Sequence, residues 1–301
     1  MLNHNYFNEL PIESYRNKFI SNLNLQYPFI NVNSKFKSLC SRNITVITIG
    51  NMENSVLLSG AYHGMEWITT LLLLKFTSRL CDSINQKKEF FNMDISKFIN
   101  SRGITIIPCV NPDGVEISLR GPKYAGKYYE LVENISGGDT SNWQTNARGV
   151  DLNHNFNADW EDLHLREQQS GFTGPSRTRF GGPYPESEPE TQAITKICRE
   201  NNFSHALAFH SQGEEIYWNY GKNTPEKSEF MAKVLSSVTN YKVCFPEGLA
   251  VGGGFKDWFI TEFKKPGFTI EIGKGKNPLP ISDFDSIYEK LEYMMLLSII
   301  I

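Results

Sequence analysis

Two histidines and a glutamate, His63, Glu66 and His210, have the plainest capacity for chemistry in this sequence. His63 and Glu66 stand three apart in His63-Gly-Met-Glu66, directly after the apolar run Ser55–Tyr62. A strand-end imidazole and a helix-start carboxylate can therefore be aimed at one point. Taken alone the pair is a weak signal, because the helix dipole favours an acid at a helix start whatever else it does. His210 closes the apolar run His205–Ser211, where a parallel strand would emerge from the core, whereas His205 reads as a surface or capping residue. A third ligand at His210 would complete a His₂Glu donor set of the kind that holds zinc with its fourth position open. For His210 alone, a satisfied core histidine is the competing reading.

Glu271 lies inside Phe268-Thr-Ile-Glu-Ile272. A carboxylate in an otherwise apolar strand is costly unless it is paired or functional. Burial would raise its pKa and a nearby metal would lower it. Such a group suits a general base that takes a proton from a metal-activated water and passes it to a leaving amine; a buried structural Glu is the alternative. The polar stretch Asn142–Phe156 adds two more groups. Arg148 can stabilise a carbonyl oxygen as it becomes an oxyanion, and Asp151 can accept the second N–H of a metal-bound histidine. By itself that stretch is equally compatible with a structural turn.

These residues need a scaffold that brings distant segments together. Strand-like and helix-like segments alternate along the chain, which implies one α/β domain with a mixed, mostly parallel twisted sheet covered by helices on both faces. Sites in such sheets form at strand ends. Asn43–Ile49 and Ser55–Tyr62 read as a hairpin around Gly50-Asn51, followed by a helix over 65–82 and an amphipathic helix over 83–100. Gly103–Val110 reads as a buried strand stopped by the Asn-Pro-Asp-Gly turn, and Gly121–Ser187 as a long functional loop. Ser187-Glu-Pro-Glu190 then opens a helix as a capping box. Residues 1–40 read as an N-terminal extension packed on a catalytic domain of residues 41–301.

The chain has 301 residues, 40% of them hydrophobic, so a sizeable core is available, and disorder or fibrous architecture is excluded. A net charge of −3 argues against a nucleic-acid partner, which would need a basic face. Cys40, Cys81, Cys109, Cys198 and Cys244 are scattered without CxxC spacing and read as reduced packing thiols. The N-terminal segment lacks a signal-peptide pattern, and the run Ile68–Leu74 falls far short of the roughly 20 residues a membrane span needs. A cytoplasmic location without membrane contact is the expectation.

Taken together, HxxE, the NPDG turn, Arg148-Gly-Val-Asp-Leu-Asn-His-Asn155, the strand-end His210 and the late strand-borne Glu271 resemble the zinc carboxypeptidase family of the funnelin type. The likeness runs from about Thr45 to Gly273. It implies one Zn²⁺ ion held by His63, Glu66 and His210, Glu271 as the general base, and Asp151 behind the first histidine. It implies an oxyanion-stabilising arginine at Arg148, with Arg120 as the other candidate. Asn153 and His154 match the Asn-Arg pair that binds the substrate's terminal carboxylate. His154 departs from that pattern, being a weaker, pH-dependent partner without a bidentate fork. The loop Gly248–Phe255 around Leu249 contains no Tyr, where ordinary carboxypeptidases carry a mobile substrate-covering one.

The segments GVDLNHNFNADW, FGGPYPESEPET, FHSQGEEIYWNYG and GFTIEIG look like a bacterial branch, the γ-D-glutamyl-meso-diaminopimelate peptidases. The implied substrate is a murein tripeptide, with Arg120, Lys123 and Lys127 of the loop Gly121–Asp139 as cations for its extra carboxylates. The alternatives are a broad-specificity metallocarboxypeptidase acting on L-peptides, a deacylase with the same ligand set, and a non-catalytic muropeptide-binding protein.

Overall fold

The computed structural model describes residues 4–301. Eight strands form one sheet: β1 (Ile30–Lys37), β2 (Asn43–Ile49), β3 (Val56–Gly60), β4 (Ile104–Ile107), β5 (His205–Ser211), β6 (Glu215–Tyr217), β7 (Lys242–Cys244) and β8 (Gly267–Ile272). Their order is β1-β2-β4-β3-β5-β8-β6-β7. The central run β4-β3-β5-β8 is parallel, and antiparallel pairs lie to either side. The expected mixed, mostly parallel sheet with helices on both faces is the one observed.

The two faces follow from the two-residue period of a strand. Leu58, Leu207, Phe209, Phe268, Ile270 and Ile272 pack into the larger core. There they meet α1 (Glu13–Gln26), α2 (Ile68–Gln86), α3 (Ile95–Ser101), α8 (Lys227–Thr239) and α10 (Phe284–Ile300). Leu57, Ala206 and Ala208 face the other way, toward α7 (Pro189–Glu200) and α9 (Phe255–Phe263). A third, small cluster forms around Trp143 between α4 (Pro112–Arg120) and α5 (Tyr129–Ser136). The remaining helix, α6 (Trp160–Gln169), follows the Asp151 segment. Among the described residues, no helix is long and apolar enough to cross a membrane.

Several local expectations need correction. β2 and β3 are not a hairpin, because β4 lies between them and pairs with both. Gly50 does turn the chain (φ +83°), but Asn51 then bonds to Ile99 and Gly103, the residues that deliver β4. The helix expected over 83–100 is split, with α2 ending at Gln86 and only Ile95–Ser101 helical beyond it. Residues 121–187 are not structureless, since α5 and α6 lie within them. The segment expected as an extension over 1–40 supplies β1, whose register with β2 runs from Ile30↔Ile49 to Lys37↔Asn43, so it is an edge of the same sheet; residues 1–3 lie outside the described residues. At α7 the N-cap is Glu188, and the Ser187 hydroxyl donates to that carboxylate instead of closing a capping box with Glu190.

The Asn-Pro-Asp-Gly sequence does more than turn the chain. Asn111 caps α4 by accepting from Gly114 N (2.8 Å), with Pro112 in the first turn. Its Nδ2 donates to the Tyr62 carbonyl (3.0 Å), and its backbone N–H donates to Ala61 O. The cap therefore holds the chain immediately before His63. Gly64 packs so closely here that an added Cβ would sit 2.3 Å from the Gly114 carbonyl oxygen and 2.8 Å from the Trp143 carbonyl oxygen. Two glycines thus let three backbone segments meet beneath the candidate site.

Candidate metal centre

His63 follows β3 and Glu66 ends the short 3₁₀ turn Gly64–Glu66 that leads into α2. Thr69 pins this transition: its hydroxyl donates to Glu66 O (2.8 Å) and accepts from Ala61 N (2.8 Å). His210 is the penultimate residue of β5, on the Ala206–Ala208 face, and its register partner on β8 is Glu271. Because Phe268, Ile270 and Ile272 face the larger core, the strand period turns Glu271 to the same side as His210. Three adjacent parallel strands deliver their ends to one place.

The three side chains that the family resemblance implies converge. His63, Glu66 and His210 offer donor atoms that all lie within 4.8 Å of one another. His63 Nδ1 is 2.8 Å from Glu66 Oε1, and His210 Nδ1 is 3.0 Å from Glu66 Oε2. On its far side, His63 Nε2 lies 3.1 Å from Asp151 Oδ1. Both ring nitrogens thus face carboxylates, which only accept, so in the metal-free site each carries a proton; a divalent ion would take the place of the proton between Nδ1 and Glu66. The donor set therefore fits a divalent ion, and imidazole with carboxylate is zinc chemistry.

Charge follows the same logic. Burial alone would lower the His63 pKa, but Glu66 and Asp151 raise it well above the ordinary histidine value. Burial works against the Glu66 carboxylate, yet His63 and His210 hold it well below its usual range. Metal must displace protons from such a set, so its affinity rises with pH. The His210 ring stacks on Tyr62 (centroids 5.2 Å apart, planes at 20°), while its Nε2 is buried and has no hydrogen-bond partner among the described residues.

Asp151 is fixed in turn. It is buried and accepts from Asn153 N (3.1 Å) and Arg179 N (2.9 Å) as well as from His63. Substituting Asp151→Asn should weaken zinc binding by about 10- to 100-fold. Titration with a competing chelator measures this, and unchanged affinity would remove Asp151 from the metal site.

Glu271 is half-buried, and among the described residues its carboxylate has no hydrogen-bond or ion-pair partner. Burial and the neighbouring Glu66 charge push its pKa well above the carboxylate range. Asn153 Oδ1 accepts from Phe255 N (3.0 Å), and its Nδ2 has no partner among the described residues. His154 Nδ1 lies 2.6 Å from Glu167 Oε1.

The two arginines are differently engaged. Arg148 Nη2 and Nε grip the buried Glu188 at 2.6 and 3.2 Å, and Nη2 also reaches the Ser187 carbonyl, leaving Nη1 without a partner among the described residues. Arg120 pairs with Glu116 (3.2 Å) and lies 3.9 Å over the Tyr124 ring. Among the described residues, neither guanidinium is bonded to the His63 cluster.

Glu190 lies behind Glu188. Burial, then the Asp113 charge, pushes its carboxyl from 4.5 up to about 8. A raised folded-state pKa stabilises the protein fully below pH 4.5, and that contribution is lost as the pH rises through about 8. Melting temperatures measured across that window should slope less for Glu190→Gln than for the parent; equal slopes would place the titration elsewhere.

Sequence reasoning missed several supports. Tyr62, Thr69 and Glu188 lie beside recognised motifs, whereas Glu167 sits in a helix within the segment read as loop. His205, expected at the surface, is buried, with Nε2 2.8 Å from the Ser298 carbonyl; burial lowers its pKa to about 3 and keeps it neutral.

The architecture and donor set define a zinc metallopeptidase of the carboxypeptidase type, and comparison with known proteins agrees. The zinc carboxypeptidase family model (peptidase M14) matches residues 16–294, and the chain belongs to that family. It is 34% identical over 273 residues to γ-D-glutamyl-L-diamino acid endopeptidase 1 of Lysinibacillus sphaericus, a match covering 90% of this chain and 67% of that protein. It is 35% identical over 266 residues to the uncharacterized protein YqgT of Bacillus subtilis, covering 87% of this chain and 70% of that one. Among solved structures, thrombin-activatable fibrinolysis inhibitor matches with a TM-score of 0.77 at 19% identity, over 98% of this chain and 74% of its own. Murein-tripeptide amidase MpaA from Escherichia coli O157 matches with a TM-score of 0.54 at 20% identity, over 89% and 91%. At such identities the structural matches establish the fold.

Proposed function

We propose that this chain hydrolyses cell-wall peptides at the bond between γ-D-glutamate and the diamino acid, most specifically the γ-D-glutamyl–meso-diaminopimelate bond. The observation that carries the chemistry is the meeting of His63, Glu66 and His210 beside a carboxylate, Glu271, with no partner of its own. The substrate class is supported by the L. sphaericus relative, whose name describes that bond. It is supported too by His154 at the place of the usual carboxylate-binding arginine.

His63, Glu66 and His210 would hold one zinc ion, which when bound supplies Lewis-acid polarisation of the scissile carbonyl and lowers the pKa of a water toward roughly 7. Glu271 takes the proton of the attacking water at its carboxylate and delivers it to the departing diaminopimelate nitrogen. Arg148, held by Glu188, turns its remaining Nη1 donors to the carbonyl oxygen as negative charge develops there. Asn153 Nδ2 and His154 receive the substrate's carboxylate. Arg120, at the end of α4, serves a more distant carboxylate.

The test compares purified, zinc-loaded protein on L-Ala-γ-D-Glu-meso-diaminopimelate and on an N-blocked L-dipeptide. Preference for the wall tripeptide by about 100-fold or more in kcat/KM is expected, equivalent to roughly 2.7 kcal/mol of differential transition-state binding. Preference for the L-dipeptide would assign a conventional metallocarboxypeptidase. Tight binding of the tripeptide without turnover would assign a binding protein.

A further inference from the structure

His154 stands where an arginine would serve a carboxylate with a permanent charge, and the structure supplies what an imidazole lacks. Glu167, on α6, is fully buried. Its Oε1 lies 2.6 Å from His154 Nδ1, while Oε2 accepts from Gly181 N at 3.1 Å and lies 3.4 Å from His164 Nδ1. A carboxylate only accepts, so His154 Nδ1 carries a proton. The other ring nitrogen, Nε2, has no partner among the described residues and is not sealed from solvent. The backbone holds the ring as firmly: His154 N donates to Asp151 O (3.0 Å), and the His154 carbonyl packs 2.6 Å from the position of a Cβ at Gly181 and 2.8 Å from one at Gly253.

We infer that Glu167 is a positioning residue that orients His154, fixing Nδ1–H toward itself so that Nε2 is turned to a carboxylate of the substrate and takes up a proton as that carboxylate binds. The chemistry permits little else. With Nδ1–H committed to Glu167, a neutral ring would offer Nε2 as an acceptor and repel a carboxylate. Binding an anion therefore requires the second proton, taken from solvent, and a buried carboxylate 2.6 Å away stabilises the resulting cation by a charge-assisted hydrogen bond. The groups facing this pair are His164, whose Nδ1 lies 3.4 Å from Glu167 Oε2, and Asp151, whose backbone carbonyl oxygen accepts from His154 N. The fork of an arginine is replaced by a single imidazole donor held in place by a buried carboxylate.

This inference rests on the reading of His154 as a substrate-carboxylate ligand, and the experiment separates the two. Glu167→Gln and His154→Ala are measured beside the parent on whichever of the two peptides is cleaved, and on its C-terminal amide. Zinc content and melting temperature confirm that each variant is folded. For the free acid, Glu167→Gln should raise KM about tenfold with kcat within about twofold, while the amide's KM stays unchanged. His154→Ala should do the same. If His154→Ala raises the acid's KM and Glu167→Gln does not, Glu167 is merely structural. If neither variant distinguishes acid from amide, His154 does not bind the carboxylate. If Glu167→Gln does not fold, Glu167→Asp replaces it; full retention of KM with the shortened acid, which cannot keep the 2.6 Å contact, overturns the assignment.

Discussion

Replacing Glu271 by glutamine should leave the protein folded and fully loaded with zinc while lowering kcat by about 10²–10⁴-fold. The amide keeps the shape of the side chain but cannot take a proton from water. Two features make this substitution unusually clean. Glu271 has no hydrogen-bond partner among the described residues, so no other group loses one. Its charge is disfavoured by burial and by Glu66, so removing that charge should not lower the melting temperature of the metal-free protein. The parent needs the ionised carboxylate, so kcat/KM should fall on the acid side of its profile, and that limb should vanish in the variant. Metal analysis and a pH series check both statements. Near-parent turnover with full zinc would show that the proton goes elsewhere.

The second large effect is on the metal itself. His63→Ala and His210→Ala should each reduce bound zinc from about one equivalent per chain to less than a tenth after dialysis, with turnover lost alongside. A three-donor set assembled from separate segments does not compensate for a missing imidazole, and the partner left behind is a buried carboxylate. Glu66 sits between the two histidines, so removing either should cost the metal-free protein about 3 kcal/mol as its charge loses a partner. Excess zinc should raise the parent's melting temperature, as any ligand specific to the folded state does, and leave the variants' unchanged. A variant that retained a full equivalent of zinc would place the metal site elsewhere.

Much of this was readable from residue order because the relevant signals are local. β5 runs from His205 to Ser211, the segment the apolar run marks, and the alternation in Phe268–Ile272 sets Glu271 apart from the core-facing residues. What failed was non-local. No local rule indicates that β4 inserts between β2 and β3, because the pairing partner comes some fifty residues later. His205 appeared solvent-facing because nothing in its neighbourhood shows that α10 brings the Ser298 carbonyl to it. α6 was hidden by its composition. Its buried positions Trp160, Leu163 and Glu167 keep a helical spacing, but a glutamate fills the last of them, so the stripe does not read as apolar. That same glutamate is the partner of His154, so the residue that concealed the helix is the one proposed to position that imidazole.

The strand order β3-β5-β8 places His63, His210 and Glu271 on the most constrained part of the fold, whereas Asn153, His154 and the stretch before α9 ride on connections between elements. On the roles proposed here, reaction and recognition would be carried by separable modules. Exchanging the connections should redirect which peptide is accepted while the hydrolytic step survives, so descendants of such a scaffold can diversify in diet without reinventing their chemistry.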